Sequence, residues 1–178
     1  MVRAVVFDPV GRAFVEQVRR YDWQLLRDSY VHRYGAAAEL GGACGALTGL
    51  GYRVHELDAL RWRSKGDVYE AVAGALSFPA HFGRNLDALL DALRDVAEFE
   101  YGSDPASTGT VLAIRNYDQV IELDRRLAHG VLDVFALAAR YAALLGHPML
   151  CLVATTSTDL GTVGATSVMP ATAPTPQR

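Results

Sequence analysis

Hydrophobic and polar residues follow different patterns in three segments between residues 52 and 154. Residues 52–57 alternate apolar and polar side chains, which is typical of a strand with one exposed face. Residues 111–114 and 149–153 are short, continuous apolar runs of the kind found in strands that are covered on both faces. These segments predict three strands of a parallel sheet.

The segments between these strands carry helix signals. Ser64 and Asp67 have the spacing of a capping box, which predicts a helix that ends near Leu76. Asn85 is a good candidate for the cap of the next helix. Two more helices are expected further along, a short one over residues 118–127 and a longer one over residues 131–145. The alternation predicts an α/β fold, a three-stranded parallel sheet packed by helices with right-handed crossovers.

Residues 1–51 have a weaker pattern. Residues 3–7 are compatible with a strand, Asp8 and Pro9 with the start of a helix, and residues 36–50 with a helix interrupted by glycines. We expect an N-terminal extension that continues the same sheet and covers one of its faces. The alternative is a separate partner-binding arm.

The composition indicates a soluble globular protein, since apolar residues make up 51% and charged residues 21% of the 178-residue chain. Residues 158–178 are rich in Thr, Ser, Ala, Gly and Pro, which predicts a disordered tail. Neither a signal peptide nor a segment that approaches a membrane span is recognised, so a cytoplasmic protein without membrane contact is expected. Cys44 and Cys151 lie in apolar surroundings and are expected to be buried, reduced thiols.

Negative charge is concentrated in residues 85–100, although the whole chain has a formal charge of only −3. This segment has a single basic residue, Arg94, and five acidic ones: Asp87, Asp91, Asp95, Glu98 and Glu100. Such a patch repels nucleic acid and anionic membranes and attracts a basic protein.

On a helix, the four-residue spacing of Asp87, Asp91 and Asp95 places them on one face, about 140° from the leucines. Like charges at this spacing repel each other by roughly 0.2–0.5 kcal/mol per pair, and ordinary exposed faces mix the signs. The small side chains of Ala88 and Ala92 are expected to leave these carboxylates exposed to a partner.

The segment from Phe78 to Leu93, FPAHFGRNLDALLDAL, resembles the signature helix and the preceding loop of the barstar family, intracellular inhibitors of the ribonuclease barnase. The similarity includes the series aromatic-Gly-x-Asn-Leu-Asp-Ala-Leu-x-Asp. Residues 131–135 and 149–153 are similar to the last helix and the last strand of the family. The resemblance implies a barstar-like domain over residues 52–157, preceded by an extension as in longer bacterial members.

The resemblance also implies a binding surface for a small, basic, barnase-like ribonuclease. Asp87 and Asp91 would enter its active site and meet the lysines and arginines that otherwise hold RNA phosphate. Gly83 and Asn85 would lie at the rim of that site, and His81 takes the place of a family tyrosine. The expected surface also includes Asp95, Ala88 and Leu90.

Two positions depart from the family prototype. Leu90 stands where the prototype has a tryptophan between its two aspartates, and Leu137 stands where its last helix supplies an acidic contact. Asp95 has no counterpart there and adds a negative charge. We therefore expect the same binding mode with a different partner.

Two other functions remain open from the residues. One is a barstar-like binding or immunity module directed at a different basic toxin or at a regulatory protein. An enzyme is the other alternative, but metal sites usually draw oxygens from several segments rather than from one helix edge. The sequence contains no H-E-x-x-H, no G-x-S-x-G and no phosphate-binding glycine loop. Catalysis, cofactors, metals and direct nucleic-acid binding are therefore not expected.

Overall fold

A parallel sheet forms the centre of the protein, whose computed structural model describes residues 7–164 and 166–174. Its four main strands lie in the order β2, β3, β4, β1. In chain order they are β1 (Val31–Tyr34), β2 (Arg53–Asp58), β3 (Thr110–Arg115) and β4 (Met149–Ala154). The α/β class and three of these strands agree with the sequence prediction.

The prediction of only three strands was wrong, because β1 comes from the N-terminal part of the chain. It pairs with β4 in parallel, with Val31 opposite Cys151 and Tyr34 opposite Ala154. Its sequence, Val-His-Arg-Tyr, lacks the apolar run that identifies β4. The strand considered at residues 3–7 lies mostly outside the described residues, and Asp8 and Pro9 lead into a turn rather than a helix.

Helices cover both faces of the sheet. One face is packed by α2 (Tyr21–Asp28) and α3 (Ala37–Gly49), which follow the short α1 (Phe14–Gln17). The other face is packed by α4 (Lys65–Leu76), α5 (Leu86–Ala97), α6 (Asp118–Leu123) and α7 (Arg125–Leu144). Successive residues within 111–114 of β3 and along β4 belong to opposite cores, which is why these positions are all apolar.

A buried carboxylate joins α2 to the start of β2. Asp22 is completely buried, accepts two hydrogen bonds from the Arg20 guanidinium at 2.7 and 3.1 Å, and accepts a third from the Tyr52 hydroxyl at 3.0 Å. A buried charge is tolerated when it is paired and hydrogen-bonded in this way. The N-terminal helices are therefore held to the sheet by a polar contact as well as by packing.

The capping box at α4 is confirmed, since Ser64 and Asp67 exchange hydrogen bonds with each other's backbone N–H groups. The boundary between α6 and α7 differs from the prediction. Asp124 ends α6 and caps α7 by accepting hydrogen bonds from the N–H groups of Arg126 and Leu127. The Lys65 ammonium, 2.5 Å away, and these N–H groups lower the pKa of Asp124 to about 2.

The C-terminal segment crosses α7 and returns to β1. Its described residues include the antiparallel pair β5 (Thr162–Val163) and β6 (Thr166–Ser167), and β7 (Met169–Pro170), which adds a short fifth strand beside β1. Gly164 N–H donates to Asp133 Oδ1 at 2.8 Å, and Val163 is buried. Residues 158–178 were expected to be disordered, and residues 175–178 lie outside the described part. The division of the chain at residues 51 and 157 stays a prediction.

Cys44 and Cys151 are buried, free thiols as expected, and burial raises the pKa of Cys44 to about 11 and that of Cys151 to about 12.

By length and composition alone, α7 is apolar enough to cross a membrane, with a mean hydropathy of 1.4 over the most apolar stretch of its 20 residues. The expectation that no segment approaches a span was therefore too strong. Most of this stretch is buried, and the core helix of a soluble protein has the same properties.

Candidate protein-binding surface

The start of α5 is fixed by its cap. Asn85 Oδ1 accepts a hydrogen bond from the Ala88 N–H at 2.8 Å, which confirms Asn85 as the N-cap, and Asn85 Nδ2 donates to the Gly83 carbonyl at 3.1 Å. A β-carbon on Gly83 would lie only 3.1 Å from the Ala88 Cβ. Gly83 therefore allows the preceding loop to turn closely against the first turn of the helix.

Contacts between aromatic rings hold the loop that precedes α5. Phe78 and Phe82 make an edge-to-face contact with ring centroids 5.0 Å apart, and their outer neighbours are Tyr101 and Tyr69. Arg84, in the left-handed conformation, forms an exposed ion pair with Glu70 at 3.0 Å. These contacts hold the loop that carries the exposed His81 before the start of α5.

The three aspartates of α5 differ in their surroundings. Asp87 is exposed and has no hydrogen bond or ion pair with any residue in the described part of the chain. The Asp91 side chain is 76% exposed and lies 3.6 Å from the Arg94 guanidinium. Asp95 is half-buried and accepts a hydrogen bond from the Tyr101 hydroxyl at 2.7 Å. All three carboxylates were expected to be exposed, but Asp95 is half-buried, because the chain after α5 folds back and brings Tyr101 against it.

The apolar side of α5 is wider than its leucines indicate. Leu89, Leu93 and Ala92 are buried, and Ala88 and Leu90 are half-buried. Ala92 was expected beside the aspartates on the outer face, but it belongs to the buried arc that continues through Val96 and Ala97. The outer face therefore consists of Asp87, Asp91 and the exposed Arg94, with Ala88 and Leu90 at its margins.

Two tyrosines hold carboxylates at the far end of α5. Tyr101 donates to Asp95, and Tyr141 of α7 donates to Glu98 Oε1 at 2.5 Å. Burial and then the bond to Asp95 raise the pKa of Tyr101, and the bond to Glu98 raises the pKa of Tyr141. Both phenols therefore stay neutral at neutral pH, so they orient the carboxylates without cancelling their charge. Neither contact can be read from the sequence around α5.

The second helix of this surface is α7, which packs beside α5. Leu86 lies against Gly130, where a β-carbon would come within 2.5 Å of Leu86 Cδ1. Leu137 lies further along α7 and is 40% exposed. Within the described residues, no group of three or more His, Cys, Asp or Glu side chains is arranged to hold a metal ion.

The comparison with known families gives a match over most of the sheet and its helices. The family model described as barstar (barnase inhibitor) matches residues 52–154, which include β2, α5, α7 and β4. The matched region contains every residue of the surface described above. No curated protein matches the chain significantly.

Proposed function

The chain belongs to the barstar family, and on this premise we propose that it inhibits a small basic ribonuclease by covering the enzyme's active site with α5 in a one-to-one complex. The observation that carries the proposal is the exposure of Asp87 and Asp91 on a capped helix inside the region that matches the family. No catalytic role is proposed, since the family is one of inhibitors.

The chemistry of the two carboxylates suits a cleft that binds RNA phosphate. Arginines and lysines in such a cleft form short, charge-assisted hydrogen bonds to carboxylates when water is excluded. Asp87 is available for such a bond without any rearrangement. Asp91 must share or release Arg94, which costs little, because exposed ion pairs contribute at most about 1 kcal/mol.

The remaining residues of the surface have supporting roles in the proposal. Gly83, Asn85 and His81 contact the rim of the cleft from the loop, and Ala88 and Leu90 fill space beside the two aspartates. Asp95, held by Tyr101, adds to the negative potential that accelerates encounter with a positive cleft. The same proposal places the protein in the cytoplasm, with no direct contact to nucleic acid or membrane.

A second candidate is a barstar-like immunity module directed at a different basic toxin or regulatory protein. The departures from the family prototype favour it, because Leu90 and Leu137 stand where the prototype has a tryptophan and an acidic contact, so two of its contacts are missing. The two candidates share the acidic surface and differ in whether the partner cleaves RNA.

A titration against a panel of small basic microbial ribonucleases tests the proposal. RNA cleavage by at least one enzyme is expected to fall in proportion to added protein and to end at equimolar inhibitor. The variant with both Asp87→Ala and Asp91→Ala is expected not to inhibit. The proposal is overturned if no enzyme of the panel is inhibited, or if this double variant inhibits as well as the original chain.

A further inference from the structure

Helices α5 and α7 run side by side in the same direction. They meet near their first turns, where Leu86 lies against Gly130, and again near their ends, where the Tyr141 hydroxyl bonds to Glu98. On α7, residues 130, 134, 137 and 141 are spaced by three or four and therefore share one stripe of the helix. The stripe that meets α5 at both ends thus includes Leu137.

Leu137 is unusual among the side chains of this stripe. Val134 is buried, whereas Leu137 is 40% exposed. In the described part of the chain, the other large apolar side chains that are exposed lie in the N-terminal turn and α1, after β2, or at the end of α7: Val10, Val15, Leu60, Leu144 and Leu145. Leu137 is therefore the exposed apolar side chain at the junction of α5 and α7, on the stripe that faces the acidic helix.

We propose that Leu137, together with the half-buried Leu90, forms an apolar part of the partner-binding surface and selects ribonucleases with an apolar side chain at the margin of their basic cleft. This inference rests on the proposed function. The negative charge of Asp87 and Asp91 requires cations in the partner, whereas Leu137 requires an apolar side chain at its own position.

The physical reason is the cost of a mismatch. A lysine or arginine pressed against Leu137 would lose hydration without gaining a partner, which disfavours the complex. An aliphatic or aromatic side chain at that place would remove apolar surface from water on both molecules and stabilise the complex. Leu137 therefore distinguishes between ribonucleases whose cleft charges are similar.

The test uses Leu137→Glu and Leu137→Ala in the full-length protein, with the ribonuclease that the titration identifies. We expect Leu137→Ala to raise the dissociation rate by about threefold to tenfold, in line with lost apolar contact area. Leu137→Glu is expected to raise it further, because a carboxylate would be desolvated against an apolar group. The matched control is Val15→Glu on α1, where the side chain is 60% exposed. In the chain, α1 comes directly before α2 and α3, which pack the face of the sheet opposite to α5 and α7.

The outcomes separate this inference from the proposed function. If both Leu137 variants dissociate at the original rate, the inference is overturned. The proposed function still stands in that case, provided that the original chain inhibits the ribonuclease. Slower dissociation of Leu137→Glu also overturns the inference, since that result means a cation lies opposite. Absence of inhibition by the original chain overturns both. Thermal unfolding of each variant is measured, and Leu137→Gln replaces Leu137→Glu if that variant does not fold.

Discussion

Leu86 of α5 lies so close to Gly130 of α7 that a β-carbon on Gly130 would stand 2.5 Å from Leu86 Cδ1. The missing side chain lets the two helices approach at the first turn of α5. Asp87 follows Leu86 directly, so this contact lies next to the first exposed carboxylate of α5.

Gly130→Ala is expected to destabilise the protein and to weaken binding. Alanine normally favours a helix interior over glycine by about 1 kcal/mol. Here the added methyl group meets the end of the half-buried Leu86 side chain, which must rotate away or overpack the junction, at a typical cost of about 1–3 kcal/mol. Thermal unfolding and the dissociation rate of the complex measure the two effects.

Leu86→Ala in the Gly130→Ala background provides the control. It removes the atoms that the new methyl group meets, so the double variant is expected to regain part of the binding that Gly130→Ala loses. If Gly130→Ala alone is as stable as the original chain and binds as well, the close contact does not position α5.

Asp87→Ala and Asp91→Ala are each expected to weaken inhibition at least tenfold while changing the free energy of unfolding by less than about 1 kcal/mol, because both side chains are exposed. Glu16→Ala on α1 changes charge equally, and its side chain is 73% exposed. It is expected to inhibit like the original chain. Added salt should slow association more than it speeds dissociation, and association that does not depend on salt would argue against steering.

Tyr101→Phe is expected to release Asp95 without changing its charge. The ring contact with Phe78 can remain, while the 2.7 Å hydrogen bond to Asp95 is lost at a typical cost of about 0.5–1.5 kcal/mol. The association rate should stay the same. Asp95→Asn keeps the shape and removes the charge, so it should slow association. Equal association rates for Asp95→Asn and the original chain would show that Asp95 does not contribute to steering.

His32 is expected to make the protein less stable in acid. Its ring is buried, and Nε2 lies 3.0 Å from the Leu25 carbonyl oxygen and 2.9 Å from that of Ser29, so Nε2 carries the proton. Nδ1 has no hydrogen-bond partner among the described residues. Burial lowers the pKa of His32. The unfolded chain, with a histidine pKa near 6.5, therefore takes up this proton more readily than the folded chain.

The His32 contribution is fully present above pH about 6.5 and decreases as the pH falls below that value. Chemical denaturation between pH 7 and 5 measures the slope of the free energy of unfolding. In His32→Gln, which has no ring to protonate, the slope should be smaller. The same slope in both proteins would mean that other groups cause the acid sensitivity.

The sequence predicts those parts of the fold that local signals determine. β3 and β4 are recognisable because both their faces are buried and residues 111–114 and 149–154 are all apolar. Asn85 is recognisable as a cap from its residue type and position. β1 is not, because two of its four residues are His and Arg, and it becomes a strand only by pairing with β4, which lies far along the chain.

The site is predictable to the same extent. The spacing of Asp87 and Asp91 indicates an exposed acidic face, which agrees with their surroundings. The half-burial of Asp95 depends on Tyr101 turning back after α5, and the orientation of Glu98 depends on Tyr141, which is 43 residues away in sequence. Such contacts depend on tertiary packing and cannot be predicted from the local sequence pattern.

The pairing of β1 with β4 also affects how the protein is made. A ribosome releases β1 early, but its partner emerges only after residues 149–154 have been synthesised. Until then β3 also lacks its neighbour on that side, so the nascent sheet has an open edge, and closing such a long loop is slow. Chains that stop before β4 therefore cannot complete the layer on which α7 rests, and the acidic helix gains its full support only after β4 has been synthesised.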